Sequence, residues 1–150
     1  MTTLDELIQK EKDLSFRTEL EERLAIVEHK IKFMDKVNLC ILDTEGHPNI
    51  TLTSLTQIAG AVLSLNPMGV DYVIVYQQGR RMVDLLSAAT GILNADWPAS
   101  QNDKVFFLAD CYQLSKADDS VAMVEDIAEI LHPGQFIFGF EGDKWIRFTV

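Results

Sequence analysis

The segment Gln77-Gln78-Gly79-Arg80-Arg81 is where residue types and spacing best suit ligand chemistry. It follows an apolar, β-branched run and precedes an apolar pattern with helical spacing. In α/β proteins, ligands bind beyond the carboxyl ends of strands, and a helix N-terminus offers free N–H groups to an anion. Two arginines there can clamp a carboxylate or a phosphate. Gly79, Arg80 and Arg81 are therefore candidate anion-binding residues, with surface pairing to acidic side chains as the alternative.

The other residue types that commonly carry catalysis form no recognisable constellation. His29, His47 and His132 have no second histidine or cysteine at i+3 or i+4, which leaves a zinc site unsupported. The sequence contains neither a glycine-rich phosphate loop nor a GxSxG serine motif. Cys40 and Cys111 lie in apolar segments and are predicted to be reduced core thiols. We expect no catalytic residue, no metal and no cofactor, and hence a protein that is not an enzyme.

The C-terminal segment from Phe136 to Val150 is rich in aromatic residues. It predicts an antiparallel hairpin with a two-residue turn at Gly142-Asp143, and one face of that hairpin belongs to the core. The other face is an aromatic ladder with an arginine at its rim, made of Phe136, Phe138, Phe140, Trp145 and Arg147. Such a face needs a cover, which is either the N-terminal helix of the same chain or a segment of a partner protein.

Two further features are compatible with a binding surface. Trp97 stands in a polar loop, and a tryptophan there either plugs the core or anchors a partner. Acidic residues crowd one predicted helix, namely Asp118, Asp119, Glu125, Asp126 and Glu129. The acids of its first turn favour the helix dipole and the others are expected on a solvated face, with a negative stripe for a basic partner as the alternative.

The chain carries a formal net charge of −10. Residues 1–36 hold nine of the 23 acids and seven of the 13 bases, which leaves fourteen acids and six bases for residues 37–150. This field repels phosphate backbones and anionic lipids, so neither nucleic acid nor membrane is an expected partner. The apolar runs are too short to span a bilayer, and the polar N-terminus differs from a secretory signal. We therefore expect a cytoplasmic protein.

Apolar periodicity places these residues on a framework of helices and strands. The segment 1–37 is predicted to be helical, with an interruption near residues 13–15 and a new start at Thr18, whose spacing to Glu21 suits a capping box. Strands are predicted at 38–43, 49–53, 70–76 and 104–114, with 49–53 alternatively a loop, and helices at 54–63, from 82 to 93, and at 118–131, before the closing hairpin.

This order predicts a single domain over residues 1–150, with an N-terminal helical segment at 1–37 and an α/β body at 38–150. The fold class is α/β or α+β, with a mixed sheet of five or six strands, antiparallel at its edge, and strand 70–76 at the centre. The N-terminal helix carries one apolar stripe, Leu20, Leu24, Val27, Ile31 and Met34. Packing on the domain's own sheet is expected for this stripe, and a homodimer through it is the alternative.

Surplus acid and surplus aromatic surface lead to the hypothesis of a cytosolic protein-binding module. It would be an adaptor, an assembly chaperone or a regulator that holds a partner segment, of basic character, in the aromatic groove. One alternative is a small anion- or ligand-binding enzyme centred on Gly79, Arg80 and Arg81. Another is an acidic inhibitor of the immunity type that blocks a basic site by charge.

Overall fold

The structure, a computed structural model, describes residues 3–150, so the start of the predicted N-terminal helix at Met1 and Thr2 lies outside the described residues. The helices are α1 (Leu4–Gln9), α2 (Leu14–Ile31), α3 (Thr53–Ile58), α4 (Met82–Ile92), α5 (Pro98–Gln101) and α6 (Ala117–Leu131). The strands are β1 (Val37–Leu42), β2 (Ala61–Leu63), β3 (Tyr72–Val75), β4 (Val105–Leu108) and β5 (Trp145–Phe148).

Within residues 3–150 the five strands form one sheet in the order β2-β1-β3-β4-β5. The pairs β1–β2, β1–β3 and β3–β4 are parallel, and β5 runs antiparallel to β4. β3 lies at the centre and is buried along its whole length, as its β-branched and apolar residues predict. The predicted α/β domain with a mixed sheet, antiparallel at one edge, is confirmed.

Side chains alternate between the two faces of the sheet, and helices cover both faces. Leu39, Ile74 and Phe106 belong to the core shared with α1, α2, α3 and α6. Val73 and Phe107 point the other way and pack with residues of α4 and α5. Strands that are buried on both faces must be apolar throughout, which is why β3 and β4 appear in the sequence as unbroken apolar runs.

The N-terminal helical segment is part of this core. α2 begins at Leu14, because the carboxylate of Asp13 accepts hydrogen bonds from the N–H groups of Ser15 and Phe16 at 3.0 and 3.2 Å. The predicted start at Thr18 is therefore wrong by one turn. The predicted apolar stripe is confirmed within the helix, where Leu20, Leu24, Val27 and Ile31 are buried, whereas Met34 lies beyond it and is 39% exposed.

Two predictions between β1 and β3 are wrong. The helix predicted over residues 54–63 ends at Ile58, because Gly60 adopts a left-handed conformation with φ +91° and the next three residues join the sheet as β2. The strand predicted over residues 49–53 is absent and the alternative, a loop, is confirmed, since irregular backbone and a turn lead there into α3.

The predicted C-terminal hairpin does not form. β5 pairs with β4, so that Trp145 lies opposite Leu108 and Arg147 lies opposite Phe106. The segment 136–140 is irregular, and the carbonyl of Phe140 accepts hydrogen bonds from the N–H groups of Asp143 and Lys144. By pairing with β4, β5 satisfies the backbone N–H and C=O groups along an edge of the sheet that would otherwise be open.

We predict that Gly60→Ala lowers the free energy of unfolding by about 2–4 kcal/mol. A Cβ at this position would lie 2.8 Å from Nε2 of His132 and 2.9 Å from Cδ1 of Ile31, and the positive φ adds backbone strain. Urea denaturation measures the change.

Gly69→Ala is the matched control, since a Cβ there meets no atom within 4 Å and Gly69 has no positive φ. We expect it to change the free energy of unfolding by less than about 0.5 kcal/mol. Equal losses in the two variants would contradict the tight packing assigned to Gly60.

Candidate functional site

The carboxyl ends of the parallel strands form the candidate site. β2 and β3 lie on opposite sides of β1. The chain that leaves β1 therefore runs towards β2, whereas the chain that leaves β3 runs in the opposite direction, towards β4. Open α/β sheets bind ligands at such a switch point. We call the loops at residues 43–48, 76–81 and 109–113 the carboxyl-edge site.

The carboxylate of Asp110 joins two of these loops. Its Oδ1 accepts hydrogen bonds from the hydroxyl of Tyr76 at 2.9 Å and from the N–H of Tyr112 at 3.3 Å. Its Oδ2 accepts from the N–H of Gly79 at 2.6 Å, and its own N–H donates to the carbonyl of Arg80 at 2.9 Å. The loops after β3 and β4 are therefore held as one unit.

A second set of hydrogen bonds joins the loop after β1 to the loop after β3. The N–H and the hydroxyl of Thr44 both donate to Oε1 of Gln77, at 3.0 and 2.6 Å. Within the first loop, the carboxylate of Asp43 accepts from the N–H groups of Glu45 and His47 at 2.9 Å each. All three loops are thus linked side by side, which fixes the shape of the edge before any ligand arrives.

Burial governs the protonation of the tyrosine at the centre of this network. Burial, and then the adjacent Asp110 carboxylate, raises the pKa of Tyr76 well above its usual range. The hydroxyl of Tyr76 therefore remains a hydrogen-bond donor to Asp110 at any physiological pH. Sequence reasoning did not single out Asp110, although its position directly after the apolar run of β4 was the available signal.

The structure places the predicted anion-binding residues at this edge. Gly79 has φ +81° in the turn before α4, and its N–H is already used by Asp110. Arg81 lies 3.8 Å from Asp84 in an exposed ion pair, while Arg80 is exposed and forms no ion pair among residues 3–150. Any anion bound here would meet the two guanidinium groups rather than the N–H of Gly79, and the assignment stays a prediction.

A buried ion pair borders the carboxyl edge at the start of β5. Asp126, which is 1% exposed, forms a salt bridge with Lys144 and accepts a hydrogen bond from the hydroxyl of Tyr112 at 2.5 Å. The ammonium of Lys144 also lies over the rings of Tyr112 and Phe140, 4.9 and 4.3 Å from their centroids. Burial raises the pKa of Asp126, against the lowering effect of Lys144 and Tyr112.

This pair corrects part of the prediction for the acidic helix. Asp126 faces the interior rather than solvent, because Lys144, which directly precedes β5, forms an ion pair with it. Glu125 binds Arg23 of α2 with N–O distances of 2.5 and 3.2 Å, and Glu129 accepts a hydrogen bond from the N–H of Phe138 at 2.8 Å. Asp118 and Asp119 lie in the first turn of α6, as predicted.

The aromatic residues proposed as a partner surface are mostly interior. Trp97 packs in the core beneath α4 and α5, so it plugs the core. Phe136 and Trp145 belong to the core on the other face, with Phe138 half-buried against it, whereas Phe140 is 38% exposed and Arg147 is exposed. The open ladder therefore does not exist, and the apolar side chain that the segment exposes most is Ile137, at 88%.

The polar end of Trp145 stands out within this core. Its indole Nε1 is buried and has no hydrogen-bond acceptor among the described residues. A buried donor without a partner costs about 1–3 kcal/mol. Trp145 also lines a cavity of about 240 Å³ next to β5.

The two cysteines differ in environment. Cys40 is a buried thiol, and burial raises its pKa to about 11. Cys111 is exposed at the carboxyl edge, so the prediction that it is a core thiol is wrong. Its segment continues the apolar run of β4 in the sequence, but the strand ends at Leu108 and Cys111 lies in the following loop.

Residues 3–150 contain no group of three or more metal-ligating side chains, and no helix in this range is long and apolar enough to cross a membrane.

Comparison with known proteins places the fold. No family model matches the chain, and no curated protein matches its sequence. The Helicobacter pylori CeuE protein in its Ni-His complex is 13% identical with a TM-score of 0.67, over 90% of this chain and 53% of that one. An ABC transporter substrate-binding protein from Listeria monocytogenes is 13% identical with a TM-score of 0.67, over 87% of this chain and 65% of that one.

A periplasmic heme-binding protein from Pseudomonas aeruginosa is similar at a TM-score of 0.51 and 14% identity, over 81% of this chain and 52% of that one. At these identities the likeness establishes a shared fold. The chain spans between 49% and 65% of the length of five such structures.

These comparisons overturn the hypothesis of a cytosolic adaptor, assembly chaperone or regulator. Three of the similar structures are named as a periplasmic binding protein, an ABC transporter substrate-binding protein and a periplasmic heme-binding protein, and another is named as a Ni-His complex. The same similarity corrects three further predictions, which are the protein or peptide partner, the acidic-inhibitor alternative and the cytoplasmic location. The physical reason is that the aromatic residues behind the hypothesis pack inside the domain.

We predict that Lys144→Met lowers the free energy of unfolding by about 3–5 kcal/mol, because it leaves a buried carboxylate without its partner. The control is Arg17→Met, which removes an exposed pair with Glu21 at 3.9 Å and should cost less than about 1 kcal/mol. Denaturant unfolding measures both. Equal effects would show that Asp126 does not depend on Lys144.

The Lys144→Met variant should also gain stability, relative to the unchanged protein, as the pH falls from about 7 to about 5. Removing Lys144 takes away an effect that lowers the pKa of Asp126, so that pKa rises further in the folded state. The folded state then keeps a proton at pH values where the unfolded chain has released it, so protonation favours folding. A stability difference that does not change with pH would contradict this sign.

Proposed function

We propose that this domain binds a small ligand at its carboxyl-edge site. The observation that carries the proposal is the switch point between β1 and β3, whose flanking loops are joined by Thr44, Gln77 and Asp110. The carboxyl ends of the strands at a switch point are the usual ligand position in open α/β sheets. The similarity in fold to a protein named as a periplasmic binding protein and to one named as a substrate-binding protein supports this proposal.

The chain covers only part of the structures that it resembles, which bears on how much of a ligand site it can supply. Periplasmic binding proteins close two domains around a ligand, and this chain covers 49% of a periplasmic binding protein from Veillonella parvula. We therefore propose that the carboxyl-edge site supplies one wall of a ligand site. Its exposed groups include Gln78, Arg80, Arg81 and Cys111.

The ligand that we propose carries an anionic group. Arg80 and Arg81 are exposed at the start of α4, and planar guanidinium groups suit carboxylates and phosphates. The acidic remainder of the chain disfavours anions elsewhere on the surface. The proposal is for binding without a chemical step, since the described loops present hydrogen-bonded positioning groups rather than a nucleophile beside a base.

The charge-reversal variant Arg80→Glu with Arg81→Glu should lose ligand binding at this edge. The probes are hemin, which bears carboxylates, and inorganic phosphate as the simplest anion. We expect a probe that raises the melting temperature of the unchanged protein to bind the variant at least about tenfold more weakly, because two attractive charges become repulsive. Calorimetric titration gives the affinities.

Lys32→Glu with Lys36→Glu provides a control with the same change in net charge. These lysines lie between the end of α2 and the start of β1, away from the carboxyl ends of the strands. The control should bind the probe as the unchanged protein does. Equal losses in both variants would mean that net charge alone governs binding, and no loss in either would place the ligand elsewhere.

A further inference from the structure

A cavity of about 240 Å³ lies beside the outer strands β4 and β5. The C-terminal end of α6 and residues of the segment 133–141 form its other walls. The lining residues that matter here are Phe106, Phe136, Trp145, Arg147, Glu129 and Glu141. None of them belongs to the carboxyl-edge site, so the inference drawn here does not rest on the proposed function.

The aromatic lining suits a ring. The ring centroid of Phe106 lies 5.8 Å from that of Trp145 in an edge-to-face arrangement, and Phe136 forms part of the same core. A closed apolar cavity of about 150 Å³ is large enough for benzene. The cavity beside β5 therefore has room for a ring that carries a short polar substituent.

Two lining groups lack a negative or accepting partner. The Nε1–H of Trp145 is buried and has no acceptor among residues 3–150. The guanidinium of Arg147 lies over the ring of Phe106, 5.5 Å from its centroid, and forms no ion pair within the described part of the chain. Both side chains project to the same face of β5, since they are two residues apart on one strand.

These groups define the chemistry of a ligand. We propose that the cavity beside β5 binds a small aromatic carboxylate, with its ring against Phe106 and Trp145 and its carboxylate on Arg147. The indole Nε1–H of Trp145 is buried in the free protein, so it donates to a carboxylate oxygen only when the cavity wall moves as the ligand enters.

The acidic residues of the lining narrow the class further. Glu129 accepts a hydrogen bond from the N–H of Phe138 at 2.8 Å, and Glu141 is exposed. Their negative charges repel any anion in the cavity and therefore favour an ammonium group beside the ligand's carboxylate, because that cation offsets the repulsion. Both a simple aromatic acid and an aromatic amino acid carry the shared group, and the experiment separates these two sources.

Titration with phenylacetate and with L-phenylalanine tests the site. The indole N–H signals of the protein in nuclear magnetic resonance spectra report the binding. The protein has two tryptophans, so Trp97→Phe assigns the two signals and Trp97 serves as the internal reference. We expect the Trp145 signal to shift saturably, with a dissociation constant on the order of 1 mM or lower, while the Trp97 signal stays in place. A stronger effect of phenylalanine would identify the amino acid, and a stronger effect of phenylacetate would identify the simple acid.

Arg147→Gln should weaken binding at least about tenfold, whereas Arg80→Gln at the carboxyl edge should leave it unchanged. Arg147 is exposed, and a dispersed amide spectrum confirms that the variant is folded. The proposal is overturned if the Trp145 signal does not move, or if Arg147→Gln binds as tightly as the unchanged protein. Tighter binding of 2-phenylethylamine, which replaces the carboxylate with a cation, would overturn it as well.

Discussion

The carboxylate of Asp110 holds together the loops on which the candidate site depends. It accepts hydrogen bonds from Tyr76, Gly79 and Tyr112, so two loops that start on neighbouring strands cannot move independently. The parallel strands beneath it are buried on both faces and give this network a rigid base. A hydrogen-bonded network at the edge of a packed sheet lowers the cost of ordering a binding site, because the loops are already in place.

The charged residues near the site are of two kinds, a buried ion pair within the framework and exposed arginines at its edge. Asp126 and Lys144 form a buried pair next to the Asp110 network, and the phenolic hydroxyl of Tyr112 donates to Asp126. Such a pair is costly to break and therefore fixes where β5 begins. The arginines at the start of α4 lie outside this buried pair, and Arg81 forms only an exposed ion pair with Asp84.

Local patterns in the sequence predicted the framework well and the C-terminal segment poorly. The central strand β3, the stripe on α2 and the helix α6 each follow from apolar spacing, because burial on one or two faces leaves a direct periodic signal. The pairing of β5 with β4 joins residues that are about 40 positions apart, and no local pattern encodes that choice of partner. The aromatic ladder was wrong for this reason, and Asp126 was placed in solvent because its partner Lys144 lies outside the helix whose spacing was the only local signal.

Of the residues at the carboxyl ends of the strands, the sequence indicated only those that follow β3. Gly79, Arg80 and Arg81 were recognisable from the strand and helix that flank them, whereas Asp110 needed the knowledge that β4 lies next to β3. The most direct test of the carboxyl-edge site is a map of backbone amide shifts on titration with hemin. We expect the largest changes in amide shift at residues 43–48, 76–81 and 109–113. Changes centred instead on the opposite ends of the strands, around Lys36 and Lys104, would contradict it.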